Sequence, residues 1–93
     1  MKITVEFEGT TKSVNFTEPQ ARIMQRLNQG EHATMVNTHY MSGGDFVWKE
    51  KAEEYGCKEF VGYRAFNGAM IAITRAFNLD RDAEKRLYDK YIN

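Results

Sequence analysis

The chain has 93 residues, which is enough for one domain and leaves no room for a second, catalytic one. Hydrophobic residues make up 42% of it and charged residues 28%, proportions that exclude an intrinsically disordered chain. Thirteen basic residues balance 13 acidic ones, so no strong net charge attracts the protein to nucleic acid or to an anionic membrane.

The cellular compartment can be predicted from cysteine usage and hydropathy. The single cysteine, Cys57, excludes an internal disulfide framework and suits a reducing cytosol. No apolar run approaches the ~18 residues of a membrane span, and the first residues lack the apolar block of a signal peptide. We therefore expect a cytoplasmic protein that does not enter a membrane.

The first 16 residues have the pattern of a β-hairpin. Apolar and polar residues alternate from Ile3 to Phe7, which is typical of a strand with one buried face. A turn is expected at residues 9–12, and the alternation resumes from Val14 to Phe16. The sequence therefore predicts an amino-terminal β-hairpin.

A helix is predicted over residues 18–29. Thr17 and Gln20 have the spacing of a capping box, and Pro19 falls in the first turn, where its missing N–H costs nothing. Gly30 is suited to end the helix in a left-handed conformation.

The middle of the chain is predicted to form a strand and then a short helix. Residues 31–41 are rich in Thr, Val and Tyr, and a loop is expected at Ser42-Gly43-Gly44. Asp45 is a suitable N-cap for a helix over residues 46–55, because the apolar positions 48, 52 and 55 fall on one helical face.

Residues 58–77 carry two competing signals. Apolar residues recur there at spacings of three and four, as on one face of a helix: Phe60, Tyr63, Phe66, Met70, Ile73 and Phe77. Asn67-Gly68 is a strong hairpin turn signal, but pairing about it mixes Arg64 and Arg75 into an apolar face. A helix that can kink near Gly68 is therefore favoured, and a β-hairpin is the alternative.

The last element is predicted to be a helix from 81 to about 91, opened by Asp80 and carrying a stripe of apolar residues. Together the elements predict an α+β fold: one small domain over residues 1–93, with the amino-terminal hairpin packed on three to four helices.

The stretch from Ile73 to Leu87 has a recognisable organisation. A helix that buries Ile73 and Phe77 is followed by a break at Asn78 and by a second helix after Asp80. The pattern resembles the helix-turn-helix of DNA-binding proteins, in which a supporting helix and a tight turn precede a recognition helix. The resemblance covers about a sixth of the chain.

This resemblance implies DNA contacts from the second helix. The residues concerned are Arg81, Asp82, Lys85 and Arg86, with Lys90 near a phosphate. Two positions depart from the pattern: Asn78 replaces the usual glycine of the turn, and Glu84 stands where a buried aliphatic residue is expected. Asn tolerates a left-handed conformation, whereas burying an unpaired Glu84 is costly. The simpler interpretation is an αα-hairpin that packs two amphipathic helices.

Metal-dependent and thiol chemistry have little support in the sequence. The candidate ligands His32, His39, Asp45 and Cys57 match none of the paired spacings that bind a metal from one local turn. Cys57 has no readable orienting group or oxyanion element around it. We therefore expect no cofactor, no metal and no enzymatic activity.

Aromatic residues are numerous for so small a core, with five Tyr, six Phe and one Trp. Tyr and Trp dominate the energetics of many protein interfaces, and the candidates here are Tyr40, Trp48, Tyr55 and Tyr63. The sequence therefore suggests a small regulatory or inhibitory protein, a monomer or homodimer, that binds a protein partner stoichiometrically. In type it is similar to small phage or mobile-element proteins that disable host machinery. The alternative is a DNA-binding helix-turn-helix regulator.

Overall fold

The computed structural model describes residues 1–38, 41–51 and 59–92, and it has an α+β fold. The elements follow one another in this order: β1 (Lys2–Phe7), β2 (Thr10–Asn15), α1 (Glu18–Asn28), β3 (Ala33–Thr38), β4 (Met41–Trp48), α2 (Tyr63–Phe77) and α3 (Arg81–Tyr91). Residues 49–51 are also helical. None of the described helices is both long and apolar enough to cross a bilayer.

Strands β1 and β2 form the predicted amino-terminal hairpin, with Lys2 opposite Asn15 and Phe7 opposite Thr10. The turn is shorter than predicted, because residues 10–12 already belong to β2. Glu8 and Gly9 both have positive φ, at 49° and 83°, which matches the right-handed twist of a two-residue hairpin. The Gly9 N–H donates to Glu6 Oε1 at 2.9 Å and fixes the turn.

Helix α1 confirms the predicted helix and both of its ends. The Gln20 N–H donates to Thr17 Oγ1 at 3.4 Å, and the Thr17 N–H donates back to Gln20 Oε1 at 3.0 Å. At the other end Gly30 has a φ of 94°, and the N–H groups of Gly30 and Glu31 donate to the carbonyls of Leu27 and Arg26. The local signals were sufficient here because both caps use residues within four positions of the helix.

The second hairpin differs from the prediction for the middle of the chain. The strand predicted over 31–41 is confirmed for residues 33–38, which form β3, while Met41 already begins β4 and residues 39 and 40 lie outside the described part of the chain. The predicted loop at Ser42-Gly43-Gly44 is wrong, because these residues lie within β4, which pairs antiparallel with β3. The predicted helix over 46–55 with Asp45 as its N-cap is wrong for residues 45–48, which belong to β4. Residues 49–51 are helical, and residues 52–55 lie outside the described part of the chain.

Residues 63–77 form one helix, so the helical interpretation is confirmed and the alternative hairpin is wrong. The predicted helix is wrong for residues 59–62, which precede α2 without helical structure, and residue 58 lies outside the described part of the chain. Asn78 ends α2 at a φ of 52°, and the N–H groups of Asn78 and Leu79 donate to the Arg75 and Thr74 carbonyls. Asp80 then caps α3 by accepting the Ala83 N–H at 2.8 Å, as predicted.

The core lies between the helices and the inner faces of the two hairpins. It contains apolar residues from each of the strands and helices named above. The largest fully buried side chains are Phe66, Met24, Met70, Ile73, Leu87, Val5 and Val47. Helix α1 packs against α2 and β1, while α2 also packs against β2. This arrangement leaves one face of α1, from Pro19 to Arg26, directed toward β4 and the segment that precedes α2.

Candidate interaction cleft

A cleft of about 340 Å³ opens between α1, the end of β4 and the extended segment at residues 59–62. We call it the aromatic cleft, and its apolar lining comes from Pro19, Ile23, Trp48, Phe60, Val61 and Ala65. Three charged residues also line it: Arg26 and Glu59, which are joined to each other, and Arg22, which lies 3.6 Å from Glu18. Its volume falls within the ~300–1,000 Å³ of typical ligand pockets, so a side chain or a small ring fits inside.

Arg26 connects the three parts of the chain that form the cleft. Its guanidinium carbon lies 4.1 Å from the centroid of the Trp48 ring. Nε and Nη2 donate to the two carboxylate oxygens of Glu31 at 3.1 and 2.8 Å, and Nη1 donates to Glu59 Oε1 at 2.7 Å. Bidentate and charge-assisted bonds of this kind hold a planar guanidinium in one orientation. Arg26 therefore fixes the floor and one wall of the cleft.

Arg26 is one cation bonded to two carboxylates, so this network carries one net negative charge. The hydrogen bonds to Glu31 hold the pKa of Arg26 above its ordinary value, against the opposing effect of burial. The hydrogen bond from Arg26 holds the pKa of Glu59 below its usual range. The cleft therefore presents an already paired network to solvent at neutral pH, and an apolar group is a better complement to it than an anion.

Residues 59–61 form one wall of the cleft and are hydrogen-bonded to the edge of β4 that does not face β3. The Trp48 N–H donates to the Glu59 carbonyl and the Val61 N–H donates to the Phe46 carbonyl, both at 2.9 Å. Between these two bonds Phe60 pairs antiparallel with Val47. The segment is thus a short third strand on β4, and its Phe60 side chain remains 52% exposed.

Tyr63 is the second exposed aromatic residue near the cleft, and it begins α2 directly after Gly62, which lines the cleft. Its ring stacks on Phe46 with centroids 5.8 Å apart and an interplanar angle of 12°. Phe46 in turn contacts Phe66 in the core, with centroids 4.9 Å apart. One face of Tyr63 is therefore held in place by the core, while 48% of the residue stays accessible.

The structure describes two of the four predicted interface residues, and these two differ in exposure. Tyr63 is exposed, whereas Trp48 is 2% exposed and forms part of the cleft floor instead of projecting into solvent. Tyr40 and Tyr55 lie outside the described residues. Phe60, Arg26 and Glu59 were not among the predicted site residues. The sequence assigned Phe60 to the apolar stripe of a helix, and nothing local links Arg26 to residues 22 and 33 positions away.

The four cations among the predicted DNA-contacting residues divide into two pairs. Arg86 donates to Glu8 Oε1 from Nε at 2.6 Å, and Lys90 Nζ bonds to the Glu6 carbonyl and lies 3.4 Å from Glu6 Oε2. Arg81 and Lys85 are exposed. Glu84, where the resemblance implies a buried aliphatic residue, is half-buried. The amino-terminal hairpin therefore engages two of the four cations that the resemblance assigns to DNA.

The candidate ligand residues are not brought together where the structure describes them. His32 Nδ1 lies 2.7 Å from Glu50 Oε1, and the His32 N–H donates to Glu50 Oε2 at 2.9 Å. His39 and Cys57 lie outside the described residues, and Asp45 is in β4. Within the described ranges, no three His, Cys, Asp or Glu side chains are grouped as metal ligands would be.

Fold and site together define a small α+β domain with a preformed aromatic cleft. No protein-family model, no curated protein and no solved structure matches the chain. Proposals about its function therefore depend on the geometry of the molecule itself.

Proposed function

We propose that the protein is a non-enzymatic, cytoplasmic regulator that acts by stoichiometric binding of a protein partner at the aromatic cleft. The exposed Phe60 beside this preformed cleft is the observation that carries the proposal. Tyr63, which is also exposed and follows Phe60 by three positions in the chain, extends the same surface.

The energetics favour a protein as the ligand. Burying a Phe side chain completely contributes about 1.5–3 kcal/mol, so covering a ring that is half exposed contributes about 1 kcal/mol. Interface hot spots are typically aromatic residues that pack beside a pocket on a rigid support. Phe60 is supported by the edge of β4 and Tyr63 by Phe46, so little conformational entropy is lost when a partner covers them.

The Arg26 network supports an apolar occupant for the cleft. A free cation would attract anionic ligands, but Arg26 already bonds to Glu31 and Glu59. We therefore infer that an apolar side chain of the partner enters the cleft, while Phe60 and Tyr63 cover its surroundings.

The experiment compares two variants in affinity capture from a lysate of the source organism. Phe60→Ser with Tyr63→Ser removes the exposed rings of the proposed interface. Ile71→Ser is the matched control, because Ile71 is 45% exposed on α2 and does not line the cleft. A partner retained by the wild type and by the control should be lost from the double variant, with an affinity loss of about tenfold or more for the purified pair.

Titration calorimetry of the purified pair then gives the stoichiometry, and one partner per chain is the expected result. Equal retention by the wild type and the double variant, with both folded by circular dichroism, would contradict the proposed interface.

A second candidate function, DNA binding, is supported by the exposure of Arg81 and Lys85 at the start of α3, directly after the short turn at Asn78. The ion pairs of Arg86 and Lys90 with the hairpin count against it. It predicts a mobility shift at ~50 mM salt that weakens steeply as salt rises and that Arg81→Ala with Lys85→Ala abolishes. No shift at that salt concentration removes this candidate.

A further inference from the structure

The two hairpins differ in how their outer strand edges are protected. In β1, Thr4 and Glu6 belong to non-hydrogen-bonded pairs of the β1–β2 ladder. Their carbonyls therefore point away from β2. The Thr4 carbonyl accepts a bond from Asn28 Nδ2 at 3.1 Å, and the Glu6 carbonyl accepts one from Lys90 Nζ. Side chains from α1 and α3 thus occupy the acceptors that another strand needs in order to pair with β1.

Beyond the first residue of β3, no residue in the described part of the chain is seen to protect its outer edge in this way. The Lys49 N–H donates to the His32 carbonyl at 2.9 Å, so these two residues form a hydrogen-bonded pair. Because hydrogen-bonded and non-hydrogen-bonded pairs alternate, the next pair, Ala33 and Trp48, is a non-hydrogen-bonded one. The main-chain N–H and C=O of Met35, two residues further on, therefore point away from β4. A parallel bridge to Ile92 covers Ala33, but none of the described residues bonds to these groups of Met35.

The composition of β3 allows it to pair with the β3 strand of a second copy of the protein. Its sequence, A-T-M-V-N-T, contains no charge and no proline, the residues that most often block an edge strand. Identical strands side by side therefore bring no like charges together, and the zero net charge of the chain adds no long-range repulsion between copies. The Met35 side chain is 55% exposed, so burying it favours the contact.

We propose that the protein self-associates by antiparallel pairing of β3 with β3 of a second copy. The two β3–β4 hairpins then form the four central strands of one continuous sheet across a twofold axis, and Met35 exchanges main-chain hydrogen bonds with the other copy. The contact is short, so we expect a reversible dimer with a dissociation constant in the micromolar to millimolar range. This surface is separate from the aromatic cleft.

Sedimentation equilibrium from ~10 µM to ~1 mM, a range that spans weak association, tests the dimer. The wild type should shift from monomer to dimer as its concentration rises. Met35→Lys places like charges next to each other at the axis and should leave a monomer. Ile71→Lys introduces the same charge at a similarly exposed apolar residue of α2 and should still dimerise.

A second variant and a second measurement keep the test independent of folding defects. Met35→Pro removes only the outward N–H of β3, and Pro is tolerated at such edge positions, so the fold survives while dimerisation is lost. Amide hydrogen exchange followed by NMR should show the Met35 amide exchanging faster than the amide of Thr34, which faces β4, and slowing as dimer forms.

Three results would overturn the proposal. The first is a wild type that stays monomeric at ~1 mM with a Met35 exchange rate independent of concentration. The second is a dimer that persists in both Met35 variants, and the third is Met35 protection that appears only when a different protein binds. Phe60→Ser with Tyr63→Ser should dimerise normally, so failure of the proposed function and failure of this inference are distinguishable.

Discussion

Tyr91 and Tyr88 are neighbouring tyrosines of α3 whose hydroxyl groups have opposite hydrogen-bonding states. Tyr91 is 3% exposed, and none of the described residues forms a hydrogen bond with its hydroxyl. The Tyr88 hydroxyl donates to Asn67 Oδ1 at 3.1 Å and so ties α3 to α2. A buried polar group without a partner lowers stability by about 1–3 kcal/mol, whereas a satisfied one adds about 1 kcal/mol.

We predict that Tyr91→Phe stabilises the protein by about 1 kcal/mol and that Tyr88→Phe destabilises it by a similar amount. The first substitution removes a hydroxyl that lost its water on folding, and the second removes a bond between two helices. Urea unfolding of both variants at pH 7, as the reference condition, measures the two free energies. Equal destabilisation by both substitutions would show that the Tyr91 hydroxyl has a partner.

Tyr91 also leads to a prediction for the stability of the protein at alkaline pH. Burial, assisted by the Glu6 carboxylate, raises the pKa of Tyr91 to about 12 from an ordinary value of ~10. A raised pKa in the folded state means that the stability contributed by neutral Tyr91 is complete below pH ~10 and is lost as the pH rises toward 12. The wild type should therefore lose more stability between pH ~9 and ~11.5 than Tyr91→Phe does.

At the scale of elements, helices α1 and α3 were predictable because their signals are local. The capping box of α1 and the Asp80 cap of α3 both join residues three positions apart. Asn78 likewise adopts the left-handed conformation that its side chain tolerates, so the end of α2 follows from one residue. In each case the energetic reason for the structure lies inside the predicted element.

The strand β4 was not predictable for the opposite reason. Its residues 46–48 are held by β3 on one edge and by the segment at 59–61 on the other. Both partners are distant in sequence, and a helical spacing of Trp48 with later apolar residues therefore suggested the wrong element. The aromatic cleft was missed along with β4, because the strand carries its floor and one of its walls.

Gly68 of α2 lies next to Gln20 of α1 where the two helices pack together. A Cβ at Gly68 would lie 2.5 Å from Nε2 of Gln20, the residue whose Oε1 completes the α1 capping box. Gly68→Ala gains about 1 kcal/mol of helix propensity but displaces Gln20 from its cap, which costs about 1 kcal/mol. The single substitution should therefore change stability little.

A double-mutant cycle separates these two effects. In a Gln20→Ala background the Gln20 side chain no longer occupies the space of the added methyl group. Gly68→Ala should therefore stabilise the protein by about 1 kcal/mol there. Gln25→Ala is the control background, because Gln25 is exposed on α1 and should show no coupling with Gly68. Additive effects of Gln20→Ala and Gly68→Ala in urea unfolding would mean that the two residues do not compete for space.

At the scale of the whole molecule, ion pairs tie together segments that are far apart in sequence. Glu6 and Glu8 of the first hairpin pair with Lys90 and Arg86 of α3. Each pair is substantially exposed and screened by solvent, so it contributes little to stability. They also engage two of the four cations that the helix-turn-helix resemblance assigns to DNA.

Among the described residues, three carboxylates have lowered pKa values and so affect how the fold responds to acid. The Gly9 N–H and then Lys90 lower the pKa of Glu6, and the hydrogen bond from Arg26 lowers that of Glu59. For Glu50, burial acts in the raising direction, but the hydrogen bonds to His32 outweigh it and its pKa is also lowered. A folded-state pKa below the unfolded value means that each contribution is complete above pH ~4.3 and is lost as the pH falls through the folded value.

We therefore predict that the free energy of unfolding is nearly constant from pH ~7 to ~5 and falls steadily from pH ~4.5 to ~2.5. Glu59→Gln should lower stability at neutral pH, because it replaces a charged acceptor of Arg26, and should flatten the acid decline, because one titrating group is gone. Gln25→Ala removes no titrating group and should keep the wild-type slope. Urea midpoints at half-unit pH intervals measure the slopes, and an unchanged slope in Glu59→Gln would show that the Arg26 network does not couple folding to protonation.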